Sequence, residues 1–299
     1  PIGPGGADPP HMTWGPQAGQ GARVEDGFMR SNGLGANLVP PLSLVVDHQG
    51  LYFDATRPSD LEQMIANAIT LPPHARRRAQ ALHEQILDAG LSKYNTGSKK
   101  LPNLPRGPRI LVPGQVENDA SLLYGGGAIR TNVALLEYTR RHNPNAVILY
   151  KPHPDVEAGL RPGAVPNAGD WADVVLPETD PIMAIGAVAQ VWTMTSLLGF
   201  EALLQGKSVT CLGLPFYAGW GLTDDRTPCP RRIAQPDITA LVHAALITYP
   251  RYYDPISGLP CPPEQAIYRL SQGMPTHRRT LRYLAKLQGL FASYAYLWR

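Results

Sequence analysis

Short apolar runs alternate with stretches of helical periodicity along the chain, and this alternation predicts an α/β fold. Runs rich in apolar and β-branched residues predict strands at 42–46, 51–53, 110–113, 145–150, 171–176, 191–195 and 208–212. The first two runs are separated by a tight polar turn at 47–50, which predicts a β-hairpin. The later runs are continuous and apolar, as buried parallel strands usually are.

Apolar residues at helical spacing predict helices between these strands, at 60–69, 73–90, 129–141, 197–204 and 237–249, and from residue 263. The first of them has a capping residue at Ser59 or Asp60. The second carries the run Arg76-Arg77-Arg78. A run of this kind is typical of a solvated helix face, and the alternative is a surface for an acidic glycan or a membrane.

The stretch 191–221 is the clearest local unit, because it predicts a strand, a helix and a second parallel strand in succession. Thr195 and Ser196 place hydroxyl groups where the helix begins, and a helix N-terminus suits a phosphate. Glu201 follows further along the helix, where a carboxylate could accept hydrogen bonds from ribose hydroxyls. A buried helix carrying one polar residue is the alternative interpretation.

Polar side chains also follow two predicted strands at their carboxyl ends, which is where open α/β sheets bind ligands. The loop 114–121 follows the strand at 110–113, and its Asp119 is either a helix cap or a chemical group. His153 follows the strand at 145–150 and is held between two prolines. This setting favours a functional role for His153.

The segment 23–35 is dense in acids, arginines and glycines and has no periodicity. One interpretation is a turn closed by Asp26-Gly27 and an arginine salt bridge. The other is an active-site loop in which a carboxylic acid transfers a proton. The residues alone leave both interpretations open.

Length and composition narrow the class of protein. With 299 residues, the chain exceeds the roughly 250 that a single core usually holds. A net charge of +3 argues against a dedicated nucleic-acid binder, and three widely spaced cysteines suggest neither a disulfide framework nor a zinc site. No apolar run approaches a membrane span, and no signal peptide is visible. These features favour a cytoplasmic enzyme.

The same features predict four regions along the chain. They are a disordered stub at 1–13, a first domain at 14–105, a nucleotide-binding domain at 106–250 and C-terminal helices at 251–299 that pack back on the first domain. The tail at 276–299 is basic and aromatic at helical spacing, so a contact with a partner is the alternative for it.

Four motifs in this order resemble the C-terminal module of the KpsC-type capsule polysaccharide Kdo transferases. The motifs are RVEDGFMRSNGLG, VPGQVENDAS, KPHP and TMTSLLGFEALLQGKSVTCLGLPFYAGWGLTDD. The resemblance implies a GT-B-like fold of two Rossmann-like domains facing a cleft, the first apparently truncated here. It implies a CMP-β-Kdo donor, retention of configuration and a poly-Kdo linker built on lysophosphatidylglycerol at the inner membrane. Peripheral contact with that membrane or with capsule assembly proteins is also implied.

The resemblance also implies roles for individual residues. Asp119 becomes the nucleophile and Glu25 the acid/base, with Asp26 as its substitute. Arg30 would orient the sugar or its carboxylate. Residues that would bind the CMP-Kdo donor are Gln115, Lys151, His153, Thr195, Ser196 and Glu201. No metal and no cofactor are expected, since CMP carries a single phosphate.

Two alternatives to a Kdo transferase remain at this point. One is another nucleotide-sugar transferase of GT-B form, which would prefer a different donor. The other is a non-catalytic glycan-binding module of a capsule assembly complex, which would bind glycan without releasing CMP.

Overall fold

The computed structural model describes residues 12–14, 21–33 and 39–273. Residues 12–14 form a strand that pairs in parallel with 22–24, so the predicted disordered stub at 1–13 is wrong at its last two positions. Residues 1–11 and the predicted tail helix at 276–299 lie outside the described residues.

The described chain forms two sheets with helices between their strands. The strands are β1 Met12–Trp14, β2 Ala22–Asp26, β3 Ser43–Asp47, β4 Arg109–Pro113, β5 Val147–Lys151, β6 Val174–Val175, β7 Gln190–Thr193, β8 Ser208–Cys211, β9 Asp224–Asp225, β10 Pro250–Tyr253 and β11 Pro260–Cys261. The α-helices are α1 Asp60–Asn67, α2 Pro73–Ala89, α3 Ala120–Gly125, α4 Asn132–His142, α5 Pro154–Glu157, α6 Pro181–Gly186, α7 Leu197–Leu204, α8 Ile238–Val242 and α9 Pro263–Ser271. Helix α8 continues as a π-helical segment, His243–Thr248.

The second domain contains a fully parallel sheet in the order β6-β5-β4-β7-β8-β9, as the apolar runs predicted. At its centre Leu111 lies opposite both Leu149 and Val191, and all three are completely buried. From β4 the chain moves outward to β6 and then returns to β7 on the other side. The strand order therefore reverses between β4 and β7, where a parallel sheet opens a crevice for a ligand.

The first domain is built differently from the Rossmann-like unit that was predicted for it. Its described sheet has the order β1-β2-β3-β10-β11, and only the β1–β2 pair is parallel. The predicted hairpin partner of β3, residues 51–53, is not a strand. Asp47 explains the difference, since its carboxylate accepts N–H groups of Gly50 and Asp60 and directs the chain into α1. Strand β3 instead pairs with β2 and β10.

The chain returns to the first domain near its C-terminal end. Helix α8 packs against α2, its π-helical continuation packs against α1, and β10 joins the first sheet beside β3. Helix α9 then packs against α2. The return begins at Ile238, before the boundary at 251 that the sequence predicted.

A continuous hydrophobic core joins the two domains. Phe28 of the first domain stacks on Phe216 of the second, with ring centroids 4.4 Å apart. Tyr217, in the same glycine-rich loop, donates a hydrogen bond to Ser196 O at the start of α7. Gly199 allows this contact, since a Cβ there would lie 2.2 Å from the Tyr217 hydroxyl.

A buried ion pair also crosses the domain border. Arg232, whose side chain is 2% exposed, lies 2.7 Å from the carboxylate of Glu62 on α1. The same guanidinium donates to Pro215 O and Ala218 O in the loop that carries Phe216. The border is therefore held by polar as well as apolar contacts.

Among the described residues, no helix combines the length and the apolar composition needed to cross a bilayer.

Candidate active site

A cleft of about 800 Å³ lies between the two domains, at the carboxyl ends of β4, β5 and β7. Strand β2 and residues 92–98 of the first domain close its opposite side. Nine of the ten residues singled out from the sequence line this cleft: Glu25, Asp26, Gln115, Asp119, Lys151, His153, Thr195, Ser196 and Glu201. The tenth, Arg30, is not among the lining residues of the described chain.

The floor of the cleft is a hydrogen-bonded clamp between β4 and the start of α7. The Gln115 side chain is 5% exposed; its amide donates to Thr195 Oγ1 (2.9 Å), and its oxygen accepts from Thr195 N (3.0 Å). Thr195 Oγ1 also donates to Ser121 Oγ at 3.3 Å. Gln115 and Thr195 thus form two hydrogen bonds with each other. This clamp fixes where α7 begins.

The N-terminus of α7 opens onto the cleft. Ser196 caps the helix, and its hydroxyl accepts from Leu198 N at 3.2 Å. The helix spans eight residues and ends before Gly206, whose φ of +68° is the left-handed conformation expected after a helix. The positive end of the helix dipole therefore faces a space in which an anion would be stabilised.

His153 and Lys151 project from the end of β5 beside this helix start. His153 Nδ1 accepts from Asp155 N at 3.1 Å, which leaves the proton of a neutral ring on Nε2. Burial lowers the pKa of His153, although Asp155 and Asp119 oppose the shift. Burial also lowers the pKa of Lys151. At neutral pH the histidine is consequently a neutral hydrogen-bond donor.

Each domain contributes a candidate catalytic carboxylate to the cleft, Glu25 from the first and Asp119 from the second. Asp119 caps α3, where its Oδ1 accepts from Ser121 N at 2.9 Å, so the capping interpretation is confirmed. This bond uses one oxygen and fixes the orientation of the carboxylate. Burial raises the pKa of Glu25 on β2, and the charges of Asp26 and Asp119 add to the rise. Glu25 and Asp119 thus belong to the same cleft, and the negative charge of Asp119 adds to the raised pKa of Glu25.

Arg30 lies behind the cleft wall. It pairs with Asp26, and its Nη1 donates to Val39 O at 2.7 Å. The arginine salt bridge foreseen as one interpretation of this segment is thus present, and direct contact of Arg30 with a sugar is not supported. The other carboxylate oxygen of Asp26 is buried without a hydrogen-bond partner.

Glu201 lies on α7 at the deepest part of the cleft and is 6% exposed. Its Oε1 accepts a hydrogen bond from Lys93 N of the first domain at 2.8 Å. One of the two carboxyl oxygens that were predicted to bind ribose is therefore already occupied. Burial raises the pKa of Glu201 to about 7. This carboxyl group is therefore partly protonated at neutral pH.

Sequence reasoning missed Lys93, which lies in the cleft wall next to these groups. Its carbonyl accepts from Arg30 N at 3.1 Å and Ser31 N at 3.2 Å, while its own N–H is held by Glu201. Burial alone would lower the pKa of Lys93, but the surrounding tyrosines and the two carboxylates of β2 outweigh burial and raise it. No motif surrounds Lys93 in the sequence, so only the fold reveals its position.

In the part of the chain that the structure describes, no group of three or more histidines, cysteines or acids is placed to bind a metal ion.

The chain matches a protein family over most of its length. The family described as "Capsule polysaccharide biosynthesis protein" matches residues 17–96 and 93–252. The chain is 48% identical over 237 residues to the capsule polysaccharide modification protein LipA of Neisseria meningitidis serogroup A, covering 78% of this chain and 33% of LipA. It is 46% identical over 257 residues to the lipopolysaccharide-processing protein LpsZ of Rhizobium meliloti, covering 83% of this chain and 58% of LpsZ. The chain thus spans only a part of each relative.

Two solved structures have a similar fold, and both are described as KpsC of Thermosulfurimonas dismutans. The β-Kdo 2,4 transferase superposes with a TM-score of 0.76 at 36% identity, over 84% of this chain and 79% of that one. The β-Kdo 2,7 transferase superposes with a TM-score of 0.72 at 38% identity, over 87% of this chain and 84% of that one. These matches confirm the resemblance drawn from the four motifs.

Proposed function

The chain belongs to the capsule polysaccharide biosynthesis protein family, and we propose that it is a retaining glycosyltransferase that moves Kdo from CMP-β-Kdo onto a growing poly-Kdo linker. The observation that carries the proposal is that Glu25 of the first domain and Asp119 of the second both line one cleft, which the N-terminus of α7 also lines. The KpsC structures, described as β-Kdo transferases, support the choice of sugar.

The first step is attack by Asp119. Its carboxylate forms a bond to the anomeric carbon while the bond from that carbon to the CMP oxygen breaks, and CMP leaves with the electron pair. The transition state is oxocarbenium-like, and the aspartate becomes a glycosyl ester. The hydrogen bond from Ser121 N to Oδ1 leaves Oδ2 as the attacking atom.

The departing phosphate needs stabilisation but no proton, because a phosphate is a good leaving group. His153 Nε2–H donates to it, and the Lys151 ammonium and the N-terminus of α7 lie on the same side of the cleft. Ser196 at the helix start completes this group. Thr195 and Gln115 position the helix, and Glu201 binds the nucleoside ribose through the carboxyl oxygen that Lys93 does not occupy.

The second step transfers the sugar to the acceptor. Glu25 removes the proton of an acceptor hydroxyl, and the hydroxyl oxygen attacks the anomeric carbon from the face that CMP left. The ester to Asp119 breaks and the carboxylate is restored, so two inversions give retention. Because burial raises the pKa of Glu25, its basicity is closer to that needed at neutral pH than an exposed glutamate's. Asp26 serves as the substitute base.

The remaining parts of the proposal concern the setting of the reaction. The two domains act as a GT-B pair, with the donor on the parallel sheet and the acceptor on the mixed sheet. The acceptor is a Kdo-terminated chain on lysophosphatidylglycerol, met in the cytoplasm at the inner membrane surface. Capsule assembly proteins are the partners expected there.

The test is to incubate the protein with CMP-Kdo and a synthetic β-Kdo-terminated lipid acceptor and to follow added Kdo by mass spectrometry. Transfer with retention supports the proposal. In parallel, CMP is titrated calorimetrically against wild type, His153→Ala and the exposed control His74→Ala. We expect only His153→Ala to lose affinity, by about 10- to 100-fold. A UDP-sugar that competes better than CMP, or glycan binding without CMP release, would contradict the proposal.

A further inference from the structure

Lys93 differs from the other cations of the cleft in where it lies. Lys151 and His153 belong to the second domain and sit at the end of β5, where the leaving phosphate is placed. Lys93 lies in the first-domain segment between α2 and β4, and its nearest acidic groups are Glu25 and Asp26. The cleft therefore has positive charge on both sides of the carboxylate pair.

The ammonium group of Lys93 is free to bind an anion. Among the described residues, no carboxylate oxygen lies within the 4.0 Å that defines an ion pair with its Nζ. The nearest recorded partner is the Tyr94 ring, whose centroid is 5.3 Å away. Arg30 was the cation expected to bind the sugar, but it forms an ion pair with Asp26 and donates a hydrogen bond to Val39 O. Lys93 is thus the first-domain cation of this cleft that is available to a ligand.

The position of Lys93 is fixed by its backbone. Three hydrogen bonds hold it, one to Glu201 of the second domain and two from the segment at 30–31 of the first. Ser92 and Asn95 bond to each other across it, through Ser92 N to Asn95 Oδ1 at 2.8 Å and Asn95 N to Ser92 Oγ at 3.0 Å. The Cα atom of Lys93 is therefore anchored, and the side chain starts from a defined point in the cleft wall.

The chemistry of a 2-keto acid sugar supplies a matching anion. Its carboxylate is bonded to the anomeric carbon, the atom that exchanges CMP for Asp119. That carboxylate must therefore lie beside the two reacting carboxylates, and it needs a cation to offset their repulsion. Lys93 lines the same cleft as Lys151 and His153 but from the other domain, and its charge favours the ionised form of Glu25 by lowering the pKa of that group.

We propose that the Lys93 ammonium binds the carboxylate of the donor sugar and selects 2-keto acid sugars over neutral hexoses. This inference rests on the proposed function, because it takes the donor to be a CMP-activated sugar. It assigns the phosphate and the carboxylate of that donor to opposite walls of the cleft. The change Lys93→Arg would keep the positive charge, whereas Lys93→Met would keep only the approximate length of the side chain.

The test compares two ligands that differ by the sugar. CMP and CMP-Kdo are titrated, without acceptor, against wild type, Lys93→Met, Lys93→Arg and the exposed control Lys100→Met. We expect Lys93→Met to weaken CMP-Kdo binding by about 10- to 100-fold and to change CMP binding by less than about twofold. Lys93→Arg should recover part of the loss, and the control should match wild type. Retained CMP binding shows that each variant is folded.

The outcomes separate this inference from the function on which it rests. Equal losses for both ligands, or no loss for either, would overturn the role of Lys93 in binding the sugar carboxylate, while CMP binding by the wild type would still stand. A wild-type protein that binds neither CMP nor CMP-Kdo would instead refute the proposed function, and with it the assignment of a sugar carboxylate.

Discussion

The two walls of the cleft differ in how their polar side chains are hydrogen-bonded. On the second-domain wall, parallel strands end in polar side chains that bond to one another, as in the clamp of Gln115, Thr195 and Ser121. On the first-domain wall, Glu25 and Lys93 have no such mutual clamp, and one oxygen of Asp26 is buried without a partner. One oxygen of Asp155, on the second-domain wall, is also buried without a partner, so the walls differ in the clamp of Gln115, Thr195 and Ser121 and not in complete hydrogen bonding.

We infer from this difference that the second-domain wall binds the donor and that the first-domain wall takes part in proton transfer. A hydrogen-bonded wall is preorganised, so it can hold a phosphate and a nucleoside without rearranging. On the first-domain wall, burial raises the pKa of Glu25 towards neutral pH, which suits this group to proton transfer. Asp119 is the exception, since it belongs to the ordered wall but is proposed to form a bond.

The largest expected effect tests that exception. Asp119→Asn keeps the cap on α3, because an asparagine oxygen can still accept from Ser121 N, but it removes the nucleophile. We expect transfer to fall by at least about 10³-fold with CMP affinity unchanged. Initial rates and CMP titration measure the two quantities.

The exposed Asp88→Asn is the matched control for this change and should behave as wild type. If Asp119→Asn retained more than about a tenth of wild-type activity, the covalent route through this residue would be wrong.

Glu25→Gln should separate the two steps. Without a base, transfer to the acceptor is expected to fall by about 10²- to 10³-fold, while the ester on Asp119 still forms. Intact-protein mass spectrometry should then find one added Kdo, which disappears in the double variant with Asp119→Asn. Wild-type activity should rise with pH as Glu25 ionises through its raised pKa, and the variant should lose this dependence. An unchanged pH profile would remove Glu25 from the base role.

Arg232→Met tests the contact that holds the walls together. The change leaves the Glu62 carboxylate, which is 10% exposed, without its most buried partner. Breaking a buried pair in this way is expected to lower the free energy of unfolding by about 3 kcal/mol, measured by urea denaturation. Arg77→Met on the exposed face of α2 is the control and should change stability little. Equal stability of the two variants would mean that the Arg232–Glu62 pair contributes little to joining the domains.

The smallest expected effect concerns Glu201, whose raised pKa of about 7 compares with 4.5 for an unperturbed glutamate. The folded protein therefore binds this proton more tightly than the unfolded chain. The stability this provides is complete below pH 4.5 and is lost as pH rises through 7.

Glu201→Gln mimics the protonated form and should not lose that stability. We expect it to match wild type at pH 5 and to exceed it at pH 8 by on the order of 2–3 kcal/mol. Thermal or urea unfolding across this range measures the difference, with the exposed Glu84→Gln as control. Parallel curves for wild type and Glu201→Gln would contradict the shift.

The ordered wall was largely predictable from the sequence. Each of its strands is a local apolar run, and a parallel strand delivers the residues after it to a known edge. The positions of Asp119, His153 and Ser196 at one edge follow from this rule alone. The capping role of Asp119 was one of two interpretations that the sequence left open, and the short helix that it caps, α3, was not predicted.

The reactive wall was much less predictable, because distant segments build it. Strand β3 pairs with β10, about 200 residues later in the chain. No local sequence pattern predicts that pairing. The prediction of a hairpin at 42–53 was wrong because the Asp47 carboxylate accepts hydrogen bonds from N–H groups of the turn and of α1. Lys93 has no neighbouring motif, and its importance comes only from its place between Glu201 and β2.

The aromatic stack of Phe28 on Phe216 has a consequence for how such an enzyme can change over evolution. Because the core is shared, the spacing between Glu25 and Asp119 is set by the volume of side chains that touch neither substrate. Loops at the rim of the cleft can therefore vary to fit new acceptors while the spacing between the two carboxylates stays the same. A smaller residue at Phe216 would leave a cavity in this shared core, so we expect it to lower stability and to alter the reaction together.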